Sequence, residues 1–191
     1  MISTAIPAKL ISVKTWRAQP TEQPVARWAE RTAHAIPLLV LPWCLWRLPF
    51  GFGFTMGMAE DQGSLAGWAP FYVFGLSIFS EGAAHLAYGL VRGWGEVVPR
   101  WVPRLAGRRI PPLAAVVPAT VGGLVMTGVL IQTVLIWLHT PGMKGPEYSS
   151  AWWRLLSDIC IAPGLLWGPL VLLLTRAYYV RRSRSESRIR R

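Results

Sequence analysis

The sequence predicts an all-α, polytopic bundle of four transmembrane helices with its N-terminus and C-terminus on the cytoplasmic side. Three observations carry that prediction. The chain contains apolar runs long enough to cross a bilayer, its Lys and Arg residues gather in alternate connecting segments, and its tryptophans cluster at the run ends. The runs cover about residues 35–57, 68–91, 113–138 and 152–180, and a membrane helix needs ~20 apolar residues. At 191 residues, 52% hydrophobic and 15% charged, with a mean hydropathy of +0.35, the chain is more apolar than a soluble domain of its size. Four spans use most of it and leave little room for a soluble catalytic domain.

The elements follow in order. Residues 1–34 form a cytoplasmic segment in which Lys9 and Lys14 flank a short, weak apolar stretch without the long apolar core of a signal peptide. The first run holds Pro37, Pro42, Pro49 and Arg47, then alternates Phe and Gly from Phe50 to Phe54, so its outer part is expected to be broken or partly re-entrant. Such backbone must face neighbouring helices, because lipid offers it no hydrogen bonds. The other runs contain only isolated prolines, Pro70, Pro118, Pro163 and Pro169, which membrane helices accept as kinks. In the third run Gly122 and Gly123, with Thr120 and Thr127, suit close helix approach. The tail, residues 181–191, alternates Arg with Ser and is expected to be basic, disordered and cytoplasmic.

Orientation follows from charge. Lys9, Lys14, Arg17, Arg27 and Arg31 precede the first run; Arg92, Arg100, Arg104, Arg108 and Arg109 lie between the second and third; Arg181, Arg182, Arg184, Arg188, Arg190 and Arg191 end the chain. The other two connections hold only Lys144, which places both termini and the central loop inside by the positive-inside rule. Trp28, Trp68, Trp94, Trp101, Trp137, Trp152 and Trp153 sit near run ends, as an interfacial belt requires. The loop 93–112 mixes Trp94, Trp101 and valines with arginines, so it and the tail are expected to meet anionic lipid headgroups. The formal charge of +11 does not indicate nucleic acid, because the basic residues lie between apolar runs and not on a soluble surface. A homo-oligomer or a membrane partner protein remains open, since so small a bundle encloses little by itself.

Several strings carry a family resemblance: Pro42-Trp43-Cys44-Leu45-Trp46-Arg47-Leu48, Gly93-Trp94-Gly95-Glu96-Val97-Val98-Pro99-Arg100-Trp101-Val102-Pro103, Trp167-Gly168-Pro169-Leu170 and the Tyr178-Tyr179 pair before the basic tail. The chain resembles small uncharacterised four-helix integral membrane proteins of high-GC actinobacteria, from about Trp28 to Arg182. That resemblance implies a bacterial cytoplasmic membrane and the same fold. It transfers no catalytic residue.

Ionisable side chains within a span cost on the order of 2.5 to 3.5 kcal/mol at its centre and therefore mark where to look. Arg176 is close enough to the inner end to snorkel, which leaves Arg47, Glu81, His85, Arg154 and Asp158. Ser77, Glu81, His85, Tyr88 and Arg92 recur at spacings of three and four, forming one polar face on the second span. At ~1.5 Å per residue Arg47 lies ~24 Å from Arg31 and Glu81 ~16 Å from Arg92, an offset of ~8 Å between them. Asp158, ~27 Å from Arg176, is an equal candidate to pair with Arg47.

Three readings follow. The polar groups lock the helices together; they form a binding or translocation site opening outward past Gln132, Thr133 and His139; or Glu81 is a general acid or base, tuned by His85, acting on a lipophilic substrate beside Trp43 or Trp46 as in isomerases and cyclases. A non-enzymatic accessory, binding or transport-related module is the favoured reading, with Arg47, Glu81, His85, Asp158, Trp43 and Trp46 as ligand-binding residues. The enzyme, with Glu81 and His85 as catalytic residues, is the alternative. Cys44 and Cys160 belong to no metal or redox spacing and are expected to pack, Glu96 is expected to pair with nearby arginines, and no nucleotide, cofactor or zinc motif is present. His34, His85 and His139 are too scattered in sequence to suggest a metal site.

Overall fold

A computed structural model of the chain describes residues 24–58, 67–97 and 110–189. The expectations for most of the leading segment and for most of the central loop, including Trp101, lie outside the described residues. Those residues are all-helical, with five α-helices and no strand: α1 Arg27–Arg47, α2 Ala69–His85, α3 Pro112–Trp137, α4 Ala151–Leu165 and α5 Trp167–Ile189. Three helical stretches are long and apolar enough to cross a membrane, Arg27–Phe52, Pro112–Trp137 and Ala151–Ser183.

Helix α1 begins at Arg27, eight residues before the apolar run. Ala29, Ala33, Ile36, Val40 and Cys44 recur at three- and four-residue steps and are all buried, so the polar lead-in is held helical by one apolar stripe. Small residues in that stripe let α1 approach Ala84, Ala87, Leu90 and Val91 from α2 and its continuation, and Leu174 and Tyr178 from α5. After Arg47 the chain narrows into a 3-10 turn, Leu48–Phe52, and Gly53 closes it at φ 81°, in the left-handed region that glycine enters without strain. Helix α2 likewise passes into a 3-10 turn, Leu86–Leu90.

The fourth apolar run divides. One non-helical residue, Leu166, separates α4 from α5, between Pro163 and Pro169. Neither proline has an N–H to give the preceding turn, so the expected continuous helix is interrupted there. Helix α5 then continues to Ile189, beyond the Arg181 boundary at which disorder was expected. The reason is that Arg181 and Arg182 are bound back to the bundle: Arg181 Nη2 donates to Leu90 O at 3.1 Å and to Glu96 Oε1 at 3.0 Å, and Arg182 Nη2 donates to Ile110 O at 3.1 Å.

Helix α1 is central and packs against α2, α4 and α5. Helix α3 is peripheral and packs along α5. Gly168 is the close point: a Cβ there would strike the Met126 and Thr127 backbone, and one on Gly123 would strike Leu172. Gly122, grouped with Gly123 in the sequence, faces open space. At the end opposite the arginines, Ser149 N–H donates to Gly57 O at 2.7 Å beside a backbone bridge between Met58 and Tyr148. The bundle is thus tied across its connections at both ends.

Candidate functional site

The site is built where α1 and α2 run past one another. Cys44 and Ser77 set the register, with Cys44 Sγ donating to Ser77 O at 3.6 Å and Ser77 Oγ to Cys44 O at 3.5 Å. Glu81 lies one turn further along α2, and Arg47 nearly one turn further along α1. Because the helices are antiparallel, these steps diverge: about 6 Å in one direction and about 4.5 Å in the other at the helical rise. Cys44 therefore lies between the two charged residues along the α1–α2 contact.

That offset explains why Arg47 forms no ion pair with Glu81. Its guanidinium lies over the Trp43 ring, 5.6 Å from the centroid, a cation–π contact. Arg47 Nη1 and Glu81 Oε2 are both buried and have no hydrogen-bond partner. A buried polar atom left unpaired costs ~1–3 kcal/mol, so the arrangement is unfavourable as pure scaffolding.

Asp158 does not join this cluster. It is half-buried on α4 and makes no ion pair with Arg47, nor with Arg154, which is exposed. Its neighbour Ser157 is the buried residue there, hydrogen-bonded to Tyr148 Oη at 2.7 Å. The two candidate aromatics also pack against their neighbours. Trp43 lies against Gly164, where a Cβ would meet its ring at 2.6 Å, and Trp46 is buried edge-on to Phe50 at 6.4 Å. Gln132 and His139 are exposed on peripheral α3 and its end, so they do not line a path out of the Arg47–Glu81 cluster.

Toward the arginine-rich end the polar face opens. His85 donates from Nδ1 to Glu81 O at 2.8 Å, and the same nitrogen is 3.5 Å from Glu81 Oε1. His34 of α1 makes the equivalent bond to Glu30 O at 2.7 Å. A carbonyl only accepts, so each ring carries its proton on Nδ1 and leaves Nε2 available. The Tyr88 ring stands between them, edge-on to His34 at 4.9 Å and to His85 at 5.7 Å, and Arg92 lies 5.8 Å above it. His34, His85, Leu86, Tyr88 and Arg92 line a cavity of about 430 Å³.

Cys44 packs in the buried core, as its apolar surroundings in the sequence predict, and Tyr88 belongs to the polar stripe of α2 and its continuation. His34 is the participant that a reading of apolar runs alone does not bring to the site. The signal for His34 was present in the Ala29, Ala33, Ile36 and Val40 register, which extends α1 upstream and carries His34 alongside α2. Among the described residues no group of three or more His, Cys, Asp or Glu side chains gathers as metal ligands. Comparison with protein-family models, with curated proteins and with solved structures returns no match to the chain.

Proposed function

We propose that this chain is a non-enzymatic, membrane-embedded binding module, of accessory or transport-related type, in a bacterial cytoplasmic membrane. Four crossings organise it, with both termini on the cytoplasmic side. Helix α2 supplies the fourth: its 17 residues rise ~26 Å and the five-residue 3-10 turn adds ~10 Å, against a hydrocarbon core of ~30 Å. The arginines at residues 27, 31, 92, 176, 181 and 182 then share the inner end, in keeping with the positive-inside rule.

One observation carries the binding role. Arg47 Nη1 and Glu81 Oε2 are each buried without a hydrogen-bond partner, one turn or less from the Cys44–Ser77 contact, and Glu81 connects through His85 to an open cavity. A guanidinium offers donors and a carboxylate offers acceptors, so the pair suits a ligand group that has both. A structural lock would close the two charges on each other. The enzyme reading has less support, because Trp43 packs against Gly164 and carries the Arg47 guanidinium, and Trp46 is buried against Phe50.

The test is the stability of the Arg47→Met, Glu81→Met double variant in detergent. Replacing buried charged groups by apolar side chains of similar length is often neutral or stabilising, and sites kept for function tend to cost stability. The double variant is expected to melt at or above the wild-type temperature. Arg47→Met or Glu81→Met alone melting well below the wild type, with the double variant restored, would identify the cluster as a structural lock and overturn the binding role.

A further inference from the structure

The cavity at His34, His85, Leu86, Tyr88 and Arg92 has a chemistry of its own. The geometry points to a phosphomonoester site that takes the headgroup of a phosphatidic-acid-type lipid. Two fixed imidazoles and one permanent cation define what fits. Each imidazole has its Nδ1 proton committed to a carbonyl, so the neutral ring presents an Nε2 lone pair, and after gaining a second proton it presents an Nε2–H. Arg92 has donors only and is always charged.

The ligand that matches neutral rings beside a permanent cation is therefore an anion that brings an exchangeable proton. A phosphomonoester does so, because its second ionisation lies near pH ~6. Its proton can rest on phosphate oxygen or on the Nε2 of one ring, and either placement leaves one hydrogen bond between phosphate and that ring. The remaining anionic oxygens face Arg92 and the Tyr88 hydroxyl. A phosphodiester brings no such proton, so it can bond an imidazole Nε2 only after that ring has taken a second proton from solution. A cationic ligand meets Arg92, and two histidines are too few for a structural metal site. Two carboxylates lie one turn before the imidazoles: Glu81, 3.5 Å from His85 Nδ1 on the side of the ring away from Nε2, and Glu30, whose carbonyl accepts from His34.

The surroundings favour a lipid over free phosphate. His34 is followed at four-, seven- and eleven-residue steps by Leu38, Leu41 and Leu45, all exposed, Leu38 at 69%. On α2, Ile78 stands seven residues before His85 and is 72% exposed. An apolar strip thus runs from the cavity along α1, and Ile78 adds apolar surface on α2, where acyl chains can lie. Trp28, half exposed near the start of α1, marks the interfacial level beside it.

The experiment is calorimetric titration of the intact purified protein in detergent with dioctanoyl phosphatidic acid, dioctanoyl phosphatidylglycerol and inorganic phosphate. Phosphatidic acid is expected to bind about tenfold more tightly than phosphatidylglycerol, the scale of one charge-assisted hydrogen bond, and more tightly than inorganic phosphate. His34→Phe keeps the ring edge on Tyr88 and should abolish the preference; Arg92→Gln should weaken both lipids. Both positions are exposed, and melting temperature reports whether each variant is folded, with His34→Gln as the substitute for a variant that is not. Equal binding of the two lipids by the wild type, or a preference that survives loss of His34, overturns the site. Inorganic phosphate binding as tightly as phosphatidic acid overturns the lipid assignment. His34 and Arg92 lie outside the Arg47–Glu81 cluster, so failure here is distinguishable from failure of the binding role proposed for that cluster.

Discussion

Arg181 Nη2 meets Glu96 Oε1 at 3.0 Å, with the carboxylate 2% and the guanidinium 12% exposed. The pair pins the segment after α2 to the last turns of α5, and Tyr178 adds a second tie by donating from its hydroxyl to Gly95 O at 3.0 Å. Gly95 has no alternative there, because a Cβ would run into the Gly89 carbonyl. The arginine-rich end is therefore closed by side chains as well as by helix packing.

Removing one member of that pair leaves a buried charge uncompensated, which costs ~3–5 kcal/mol. Glu96→Leu is expected to lower the unfolding free energy by about that amount in a denaturant titration, while Tyr178→Phe should cost ~1 kcal/mol for its hydrogen bond. A Glu96→Leu protein as stable as the wild type would show that the pair does not hold this end.

Helix α3 touches the bundle through small residues, so glycine substitutions should separate cleanly. Gly168→Ala forces a methyl group into the Met126–Thr127 backbone and is expected to cost ~1–3 kcal/mol, the usual penalty for overpacking. Gly122→Ala faces open space and should be neutral or stabilising. Thermal melting of the two variants side by side checks the assignment.

At the opposite end, the Tyr148–Ser157 hydrogen bond joins the loop before α4 to a buried position on that helix. Tyr148→Phe and Ser157→Ala should each cost ~1 kcal/mol. Because both remove one interaction, the double variant should cost less than their sum. Strict additivity in a double-mutant cycle would contradict the bond.

The helical class and the approximate membrane-length runs were legible because a bilayer demands long apolar stretches, which the sequence displays openly. Helix ends were less so. Arg27 to His34 read as a polar segment, and only the stripe through Ala29 and Ala33 shows that they are wound into α1. Arg181 and Arg182 read as part of a disordered tail because composition cannot show that Glu96, 85 positions from Arg181, waits to receive it. The polar face of α2 was visible from its three- and four-residue spacing. Its partners on α1 were not, since the register of two antiparallel helices is set by packing between them. Cys44 opposite Ser77 fixes that register, separates Arg47 from Glu81, and brings His34 to Tyr88.

The most direct measurement asks whether α2 crosses the membrane, because four crossings return the chain to its starting side and three do not. In a Cys44→Ala, Cys160→Ala background, single cysteines would replace Pro24, Thr55, Met143 and Ser183, each exposed, and be labelled in intact cells with a membrane-impermeant maleimide. Cysteines at 55 and 143 are expected to react from outside, and those at 24 and 183 only after the membrane is opened. Opposite accessibility of positions 24 and 183 would contradict the four-crossing bundle and the orientation built on it.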